Sequence, residues 1–403
     1  MTDQPAETRT KMRATTVLAA GFLVTLFGGG ARFVMGLTLK PIADELTWPR
    51  TDLGFATAVY FVVTAVCTFY AGRLADTMSM RVLLGWGLAI SGIGIGLMGF
   101  MSAPWHAALL YGLVFAVGNG AVSVPPVSVM ITRAFPGRTG LANSFVLSGI
   151  TISQLVIIAT LSLVLISAGW RSVYFWIGLA HFVLIAIAIP FIPAHQPDSA
   201  QNGAPREGMT LKEAACTRQF WLLSVIFAIC GMDDFFVATH VIAFAQDKGL
   251  SPFIAGNLFA IMGLFGFIGV MIAGQWADRS GPIWPTAVSF LLRVVMFAWL
   301  LVDQSAVSIA AFCIVFGLTF LVTAPITVLF VRDAFGMANL GAIGGIITMV
   351  HMIFAGIGAY AGAAIFDTTK SYDLAFVIMA VASAVALILT LCLDRRPAAA
   401  PAS

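Results

Sequence analysis

Apolar residues along this chain run in unbroken stretches of membrane length, and the polar positions between them are short and clustered. No period-2 alternation is present, which excludes an outer-membrane barrel. A spanning helix needs roughly 20 mostly apolar residues. The pattern predicts spans at about 14–36, 51–72, 80–101, 105–131, 140–168 and 172–193, then at about 218–246, 251–276, 283–302, 306–331, 338–365 and 372–393. The expected fold is an all-α membrane protein of twelve transmembrane helices in two groups of six.

Composition supports the same class. Of 403 residues, 60% are hydrophobic and 10% charged, against about 25% charged in a soluble domain, and the mean hydropathy is +0.98. Lys11 and Arg13 precede the first apolar run, but that run is long and lacks a small-x-small cleavage site, so it reads as a span and not as a signal peptide. Lysine and arginine favour the cytoplasmic side. With the N-terminus inside, 14 basic residues face the cytoplasm against Lys40, Arg50, Arg171, Lys248 and Lys370 outside. Both termini are therefore expected in the cytoplasm, with the chain in a bacterial inner membrane.

Chemistry other than transport finds little support. Cys67, Cys216, Cys230, Cys313 and Cys392 are scattered, with no C-x-x-C and no metal-ligand spacing, and read as packing residues. No phosphate-binding G-x-x-x-x-G-K-[ST] occurs, so ATP is not the expected energy source. No Ser/His/Asp order or metal cluster supports an enzyme, and no cofactor is expected.

The polar stretch "AHQPDSAQNGAPREGMTLKEAACTRQ" (194–219) separates the two groups of spans and reads as a cytoplasmic linker. The expected division is residues 1–193, a linker at 194–217, and residues 218–403. The sequence repeats across it. "GRLADTMSMR" (72–81) matches "GQWADRSGP" (274–282) with the glycines 202 positions apart, and "RAFPGRTGLAN" (133–143) matches "DAFGMANLGAI" (333–343) with an offset of 200. Parallel six-helix repeats are the signature of a two-half transporter with its substrate site between the halves.

The duplicated G-x-x-x-D after spans two and eight resembles the loop motif of the major facilitator superfamily. "IADELTWPRTDLGFA", "VMITRAFPGRTGLANSFVLSG", "GWRSVYF" and "VATHVIAFAQDKGLSPFIAG" further resemble its bacterial monocarboxylate and oxalate/formate branch. The resemblance implies a rocker-switch carrier for small organic anions, often proton-coupled. Two positions depart from it: the first loop reads "DTMSMR" without the glycine turn, and the eighth span has no arginine where the branch places its substrate-reading one.

Ionisable side chains inside a span cost on the order of 2.5–3.5 kcal/mol and usually face a cavity or a partner. Here they are Arg32, Asp233, Asp234, His240, Arg293 and His351, joined by the polar residues His181, Asn119, Asn143 and Gln154. Adding 201 to Arg32 gives Asp233; the resemblance implies that both of their helices line the central cavity, where the two charges would face each other. Asp233 and His240 share one helix face, and Asp234 points about 100° away. Substrate contacts are expected from Arg32, His240, His351, Asn119 and Gln154, and proton coupling from Asp233 or Asp234. A cytoplasmic gate is expected from Asp76, Arg81, Asp278 and Arg279.

Alternatives stay open for several of these. Arg32 lies about four residues from the expected outer end of its span, so its stem could snorkel to the interface. The acids could be structural partners of Arg32 or Arg293, and His351 a packing histidine. Glycine-rich "GGG" (28–30) and "AGIGAYAGAA" (355–364) read as close helix contacts, and "VPPV" (124–127) as a kink in span four.

The leading function is proton-coupled uptake of a small carboxylate by a monomer embedded in the lipid bilayer, with H⁺ and the anion as partners and no nucleic acid. The alternatives are proton-driven efflux of drugs or other apolar compounds and a sensor that no longer transports. The efflux reading lacks the G-x-x-x-G-P expected of exporters in span five.

Overall fold

Helices follow the apolar runs, and they stop where a backbone hydrogen bond is lost or a special backbone angle is needed. The computed structural model describes residues 4–135, 139–192 and 208–394. Its α-helices are α1 (Gln4–Ala31), α2 (Val34–Leu46), α3 (Arg50–Thr77), α4 (Met80–Leu97), α5 (Pro104–Ala107), α6 (Ala116–Ala121), α7 (Val124–Ala134) and α8 (Thr139–Ala188). They continue with α9 (Leu211–Ala215), α10 (Arg218–Asp247), α11 (Pro252–Ser280), α12 (Ile283–Val302), α13 (Ala306–Gly317), α14 (Thr323–Phe335), α15 (Leu340–Thr369) and α16 (Asp373–Leu391). A wide π-helical turn, Ala108–Phe115, joins α5 to α6. Among the described residues the only β contact is an isolated bridge between Gly208 and Gly336.

Ten stretches are long and apolar enough to cross a membrane. Large apolar side chains such as Trp86 (66% exposed) and Phe100 (74%) stand on the outside of the helices, as a lipid-facing surface requires. This is a multi-pass membrane protein.

The first helical stretch is longer than the span its hydropathy marks. It continues past the span end expected near residue 36: Thr15–Leu46 is an apolar helical stretch of 32 residues, interrupted at Arg32 and Phe33. The polar "KPIADEL" stays helical because its apolar face, Leu39, Ile42 and Ala43, is buried. Lys40 also pairs with Asp44 one turn on, at 3.1 Å.

Helix α8 is 50 residues long, roughly 75 Å at 1.5 Å per residue, or more than twice the hydrocarbon core. It breaks at Gly169, whose φ of 77° and ψ of 172° belong to a region open essentially to glycine alone. The turn is held by Glu45 at the end of α2, which accepts from Trp170 Nε1 at 2.8 Å and pairs with Arg171. The expected kink in span four is present as the gap between α6 and α7, with Pro125 in the first turn of α7.

The chain divides into two compact units. The first comprises residues 1–48 and 59–200. In it α1 and α2 lie along α8, and α4 packs on α6 and α8, around Val24, Leu84, Leu88, Val127, Ile131 and Val146. The glycine triplet allows this: a Cβ on Gly30 would come within 2.8 Å of Ile157 Cδ1.

The second unit comprises residues 49–58 and 201–403. In it α10 runs along α15, and α12 along α16, over a core that includes Phe220, Ile226, Phe290, Ile326 and Ile347. Gly358 is required here, since a Cβ would sit 2.3 Å from the Met232 carbonyl oxygen.

Candidate functional site

In the first unit, Arg32 sits at the interruption between α1 and α2, half-buried, with its guanidinium 4.7 Å from the centre of the Phe33 ring. The helical stretch continues 14 residues beyond it, to Leu46.

A helix break frees carbonyl oxygens that must be satisfied elsewhere. Here side chains do it. Tyr111, in the wide turn Ala108–Phe115, donates its hydroxyl to the Arg32 carbonyl at 2.7 Å. Asn119 Nδ2 donates to the Gly28 carbonyl at 2.8 Å, and Asn119 Oδ1 accepts from Tyr60 at 2.8 Å. Tyr60, Tyr111 and Phe115 stack with centroids 4.9–5.4 Å apart, so the brace is rigid. Asn119 therefore has both ends of its amide engaged in shaping the Arg32 break. Gln154 is fully buried on α8.

In the second unit, Asp233 and Asp234 on α10 converge on Arg293 of α12. Arg293 Nη2 lies 2.6 Å from Asp234 Oδ1, and Nη1 lies 3.8 Å from Asp233 Oδ2, with all three side chains fully buried. Consecutive residues point about 100° apart on a helix, but the forked guanidinium reaches both. Ser383 of α16 donates to Asp233 Oδ2 at 2.7 Å. Arg293 Nε and Nη2 donate to the Thr319 hydroxyl and carbonyl at 3.2 and 2.9 Å. Of the two structural partners weighed for the acids, Arg293 is the one that shares their unit and touches both.

The two histidines divide. His240 is buried, with Nε2 2.8 Å from the Ala359 carbonyl and Nδ1 3.1 Å from the Tyr372 hydroxyl. A carbonyl only accepts, so Nε2 carries the hydrogen and the neutral ring accepts from Tyr372 at Nδ1. Both nitrogens are thus engaged within the protein. His351 is half-buried, with Nδ1 3.1 Å from the Phe227 carbonyl. His181 is buried with Nδ1 2.8 Å from the Ile177 carbonyl, and Asn143 donates to Thr132 at 3.1 Å.

The gate residues are unevenly placed. Arg81 caps a helix end, donating from Nε to the Ile192 carbonyl and from Nη2 to the Pro190 carbonyl, both at 2.9 Å. Asp278 and Arg279 are exposed and make no ion pair among the described residues. The Asp76 side chain lies outside the described residues.

One cluster escaped the sequence reading. Arg50, counted there only as an outer basic residue, is 4% exposed and grips Asp247 with Nη1 at 2.7 Å and Nη2 at 2.9 Å. Its guanidinium also donates to Tyr372 at 2.8 Å and stacks 3.6 Å from the Phe366 ring centre. Asp367 receives the Arg50 and Thr51 backbone N–H groups at 3.1 and 2.7 Å. Burial pushes the Tyr372 phenol up from its ordinary range, which keeps it a neutral hydroxyl between Arg50 and His240. The available signal was Arg50 followed by Thr51 and Asp52 at a helix start; its partners lie too far along the chain to be paired from spacing.

The described residues contain no His, Cys, Asp or Glu group arranged to hold a metal ion. The arrangement offers a half-buried cation at a helix break and a buried acid pair against a guanidinium, which suits binding and charge movement.

The chain is 20% identical to the MFS-type transporter YcxA of Bacillus subtilis over 350 residues, 83% of this chain and 84% of that one. It is 22% identical to monocarboxylate transporter 13 of Rattus norvegicus, over 76% of this chain and 71% of that one. The crystal structure of a bacterial homologue of the human lysosomal transporter Spinster has the same fold. Its TM-score is 0.77 at 15% identity, and the match covers 94% of this chain and 97% of the other. The model of the Major Facilitator Superfamily matches residues 21–359 and 223–403, and the chain belongs to that family of transporters.

Proposed function

We propose that this protein is a secondary active carrier that takes up a small carboxylate together with a proton by alternating access. The observation that carries the reading is Arg32: a half-buried guanidinium at the break between α1 and α2, braced by Tyr111 and Asn119. A guanidinium binds carboxylate bidentately and keeps its charge at every physiological pH. The similarity to monocarboxylate transporter 13 supports the substrate class.

In this reading Arg32 anchors the anion, with Gln154 and His351 as polar contacts and Asn119 as part of the brace. His240 belongs to the Arg50 network. Asp233 and Asp234 carry the coupling charge, and Asp76, Arg81, Asp278 and Arg279 act at the cytoplasmic gate. Twelve crossings result if Ser148–Phe191 crosses twice about Gly169 and α13 with α14 makes one interrupted crossing. They form two six-helix halves, residues 1–193 and 218–403, joined by 194–217. Both termini are cytoplasmic by the lysine and arginine bias, in an inner membrane, and the monomer is the working unit.

A thermal-shift screen of the purified protein against formate, acetate, lactate, oxalate, succinate and benzoate tests the reading. At least one carboxylate should raise the unfolding temperature of the wild type and leave Arg32→Ala unmoved. A carboxylate that stabilises both proteins equally would place the anion site elsewhere.

A further inference from the structure

The buried cluster in the second unit is short of one positive charge. Two carboxylates, Asp233 and Asp234, face a single guanidinium, Arg293, and all three side chains have zero exposure. The other groups around them are neutral. Cys230 Sγ lies 3.5 Å from Asp234 Oδ2 and 3.3 Å from the Thr323 hydroxyl; Thr319 and Ser383 supply hydroxyls.

The remaining packed elements bring no cation to the cluster. On α15, His351 is directed at the Phe227 carbonyl and Asp367 receives the Arg50 and Thr51 backbone N–H groups; His240 of α10 is committed to Ala359 and Tyr372, and Arg332 of α14 pairs with Asp333. The charges of α11, Asp278 and Arg279, lie exposed at its end, and those of α9, Lys212 and Glu213, lie outside the spans. A net charge in a dry interior is strongly disfavoured unless a counter-charge or a proton removes it.

The two acids are not equivalent. Asp234 has the close contact to Arg293, at 2.6 Å, whereas Asp233 is 3.8 Å from it. Ser383 donates to Asp233 Oδ2; Oδ1 of each acid is buried without a hydrogen bond, but Asp234 Oδ1 has Arg293 Nη2 against it, whereas the Arg293 contact to Asp233 is to Oδ2. An oxyanion left without a donor is costlier than a neutral carboxyl in the same place.

We infer that the Asp233, Asp234 and Arg293 cluster is a one-proton site, in which Asp234 and Arg293 form the ion pair and the proton resides on Asp233. Arg293 is the positioning residue: by committing its charge to Asp234 it leaves Asp233 to hold the proton. The inference rests on the proposed function only for the proton's role in the transport cycle, where it selects Asp233 over Asp234 as the acid that exchanges it.

The test is infrared spectroscopy of the full-length protein in lipid nanodiscs, at neutral pH in sodium-free buffer and with no substrate added. The wild type should show the C=O stretch of a protonated carboxyl. Asp233→Asn should lose that band and unfold at the wild-type temperature, because the amide has the shape and neutrality of the protonated acid. Asp234→Asn should lose the band as well, since one carboxylate and one guanidinium balance without a proton, and should unfold at a lower temperature.

A wild-type spectrum without the band overturns the inference. So does a band that survives Asp233→Asn or Asp234→Asn, or one that disappears when NaCl is added to the wild type, which would assign the balancing charge to Na⁺. If Asp234→Asn does not fold, the comparison of wild type with Asp233→Asn still decides. No substrate enters the measurement, so the outcome is independent of whether Arg32 binds a carboxylate.

Discussion

Arg50 and Asp247 stand 197 positions apart in the chain and meet as a bidentate ion pair at 2.7 and 2.9 Å. The Arg50 side chain is 5% exposed and that of Asp247 20%. Removing one partner of a buried pair costs about 3–5 kcal/mol, much of it from the charge left behind. Arg50→Ala should therefore destabilise the protein by about 3 kcal/mol, at the low end because Asp247 keeps some solvent. The double variant Arg50→Ala, Asp247→Ala should lose less than the sum of the two single losses. Denaturant unfolding of the four proteins measures the coupling, and strictly additive losses would count against it.

Arg32→Ala should abolish carboxylate transport in proteoliposomes while the protein still inserts and folds, since the residue supplies a charge at a break whose backbone is held by Tyr111 and Asn119. Arg32→Lys should retain only weak transport, because an ammonium cannot reproduce the fork of the guanidinium. Undiminished transport by Arg32→Ala would sink the anchor role.

Gly169→Ala should lower stability by about 1–3 kcal/mol, the cost of holding a residue with a Cβ in that backbone region. Nothing lies within 4 Å of a Cβ built at Gly169, so the whole loss would come from the backbone angle, φ 77° and ψ 172°. A thermal unfolding curve that superposes on the wild type would show that the turn relaxes without cost.

Asp278→Asn should slow turnover more than it weakens apparent affinity. Asp278 is exposed at the end of α11 and makes no ion pair among the described residues, so in the gate reading its charge acts in another access state and not on the ligand. Initial rates of carboxylate uptake against concentration separate the two effects. A large loss of affinity at unchanged maximal rate would contradict the gate role.

Much of this architecture was legible from one dimension. Burial in lipid depends on the local run of apolar residues, and a spanning helix satisfies its own backbone, so the membrane class, the all-helical fold, the glycine contacts and the kink before Pro125 could be read without partners. The duplicated loop motifs likewise pointed to the family. The same local reasoning ends the first span near residue 36, because "KPIADEL" is polar; the helix itself runs on to Leu46, with Leu39, Ile42 and Ala43 buried.

Side-chain partnership was decided by tertiary structure. Asp233 and Asp234 could be named as intramembrane acids, but symmetry offered Arg32 as their partner, while within their own unit Arg293, some 60 residues on, closes on both. His240 can be named as a polar residue of its span, but its partners, Ala359 and Tyr372, lie more than 100 positions away. Arg50 looked solvated until Asp367, 317 positions away, was found capping its backbone. Sequence by itself determines where each charge enters the membrane, since that cost is local. Which charge answers it depends on how distant helices pack, because charge pairing falls off within a few ångströms in space and takes no account of separation along the chain.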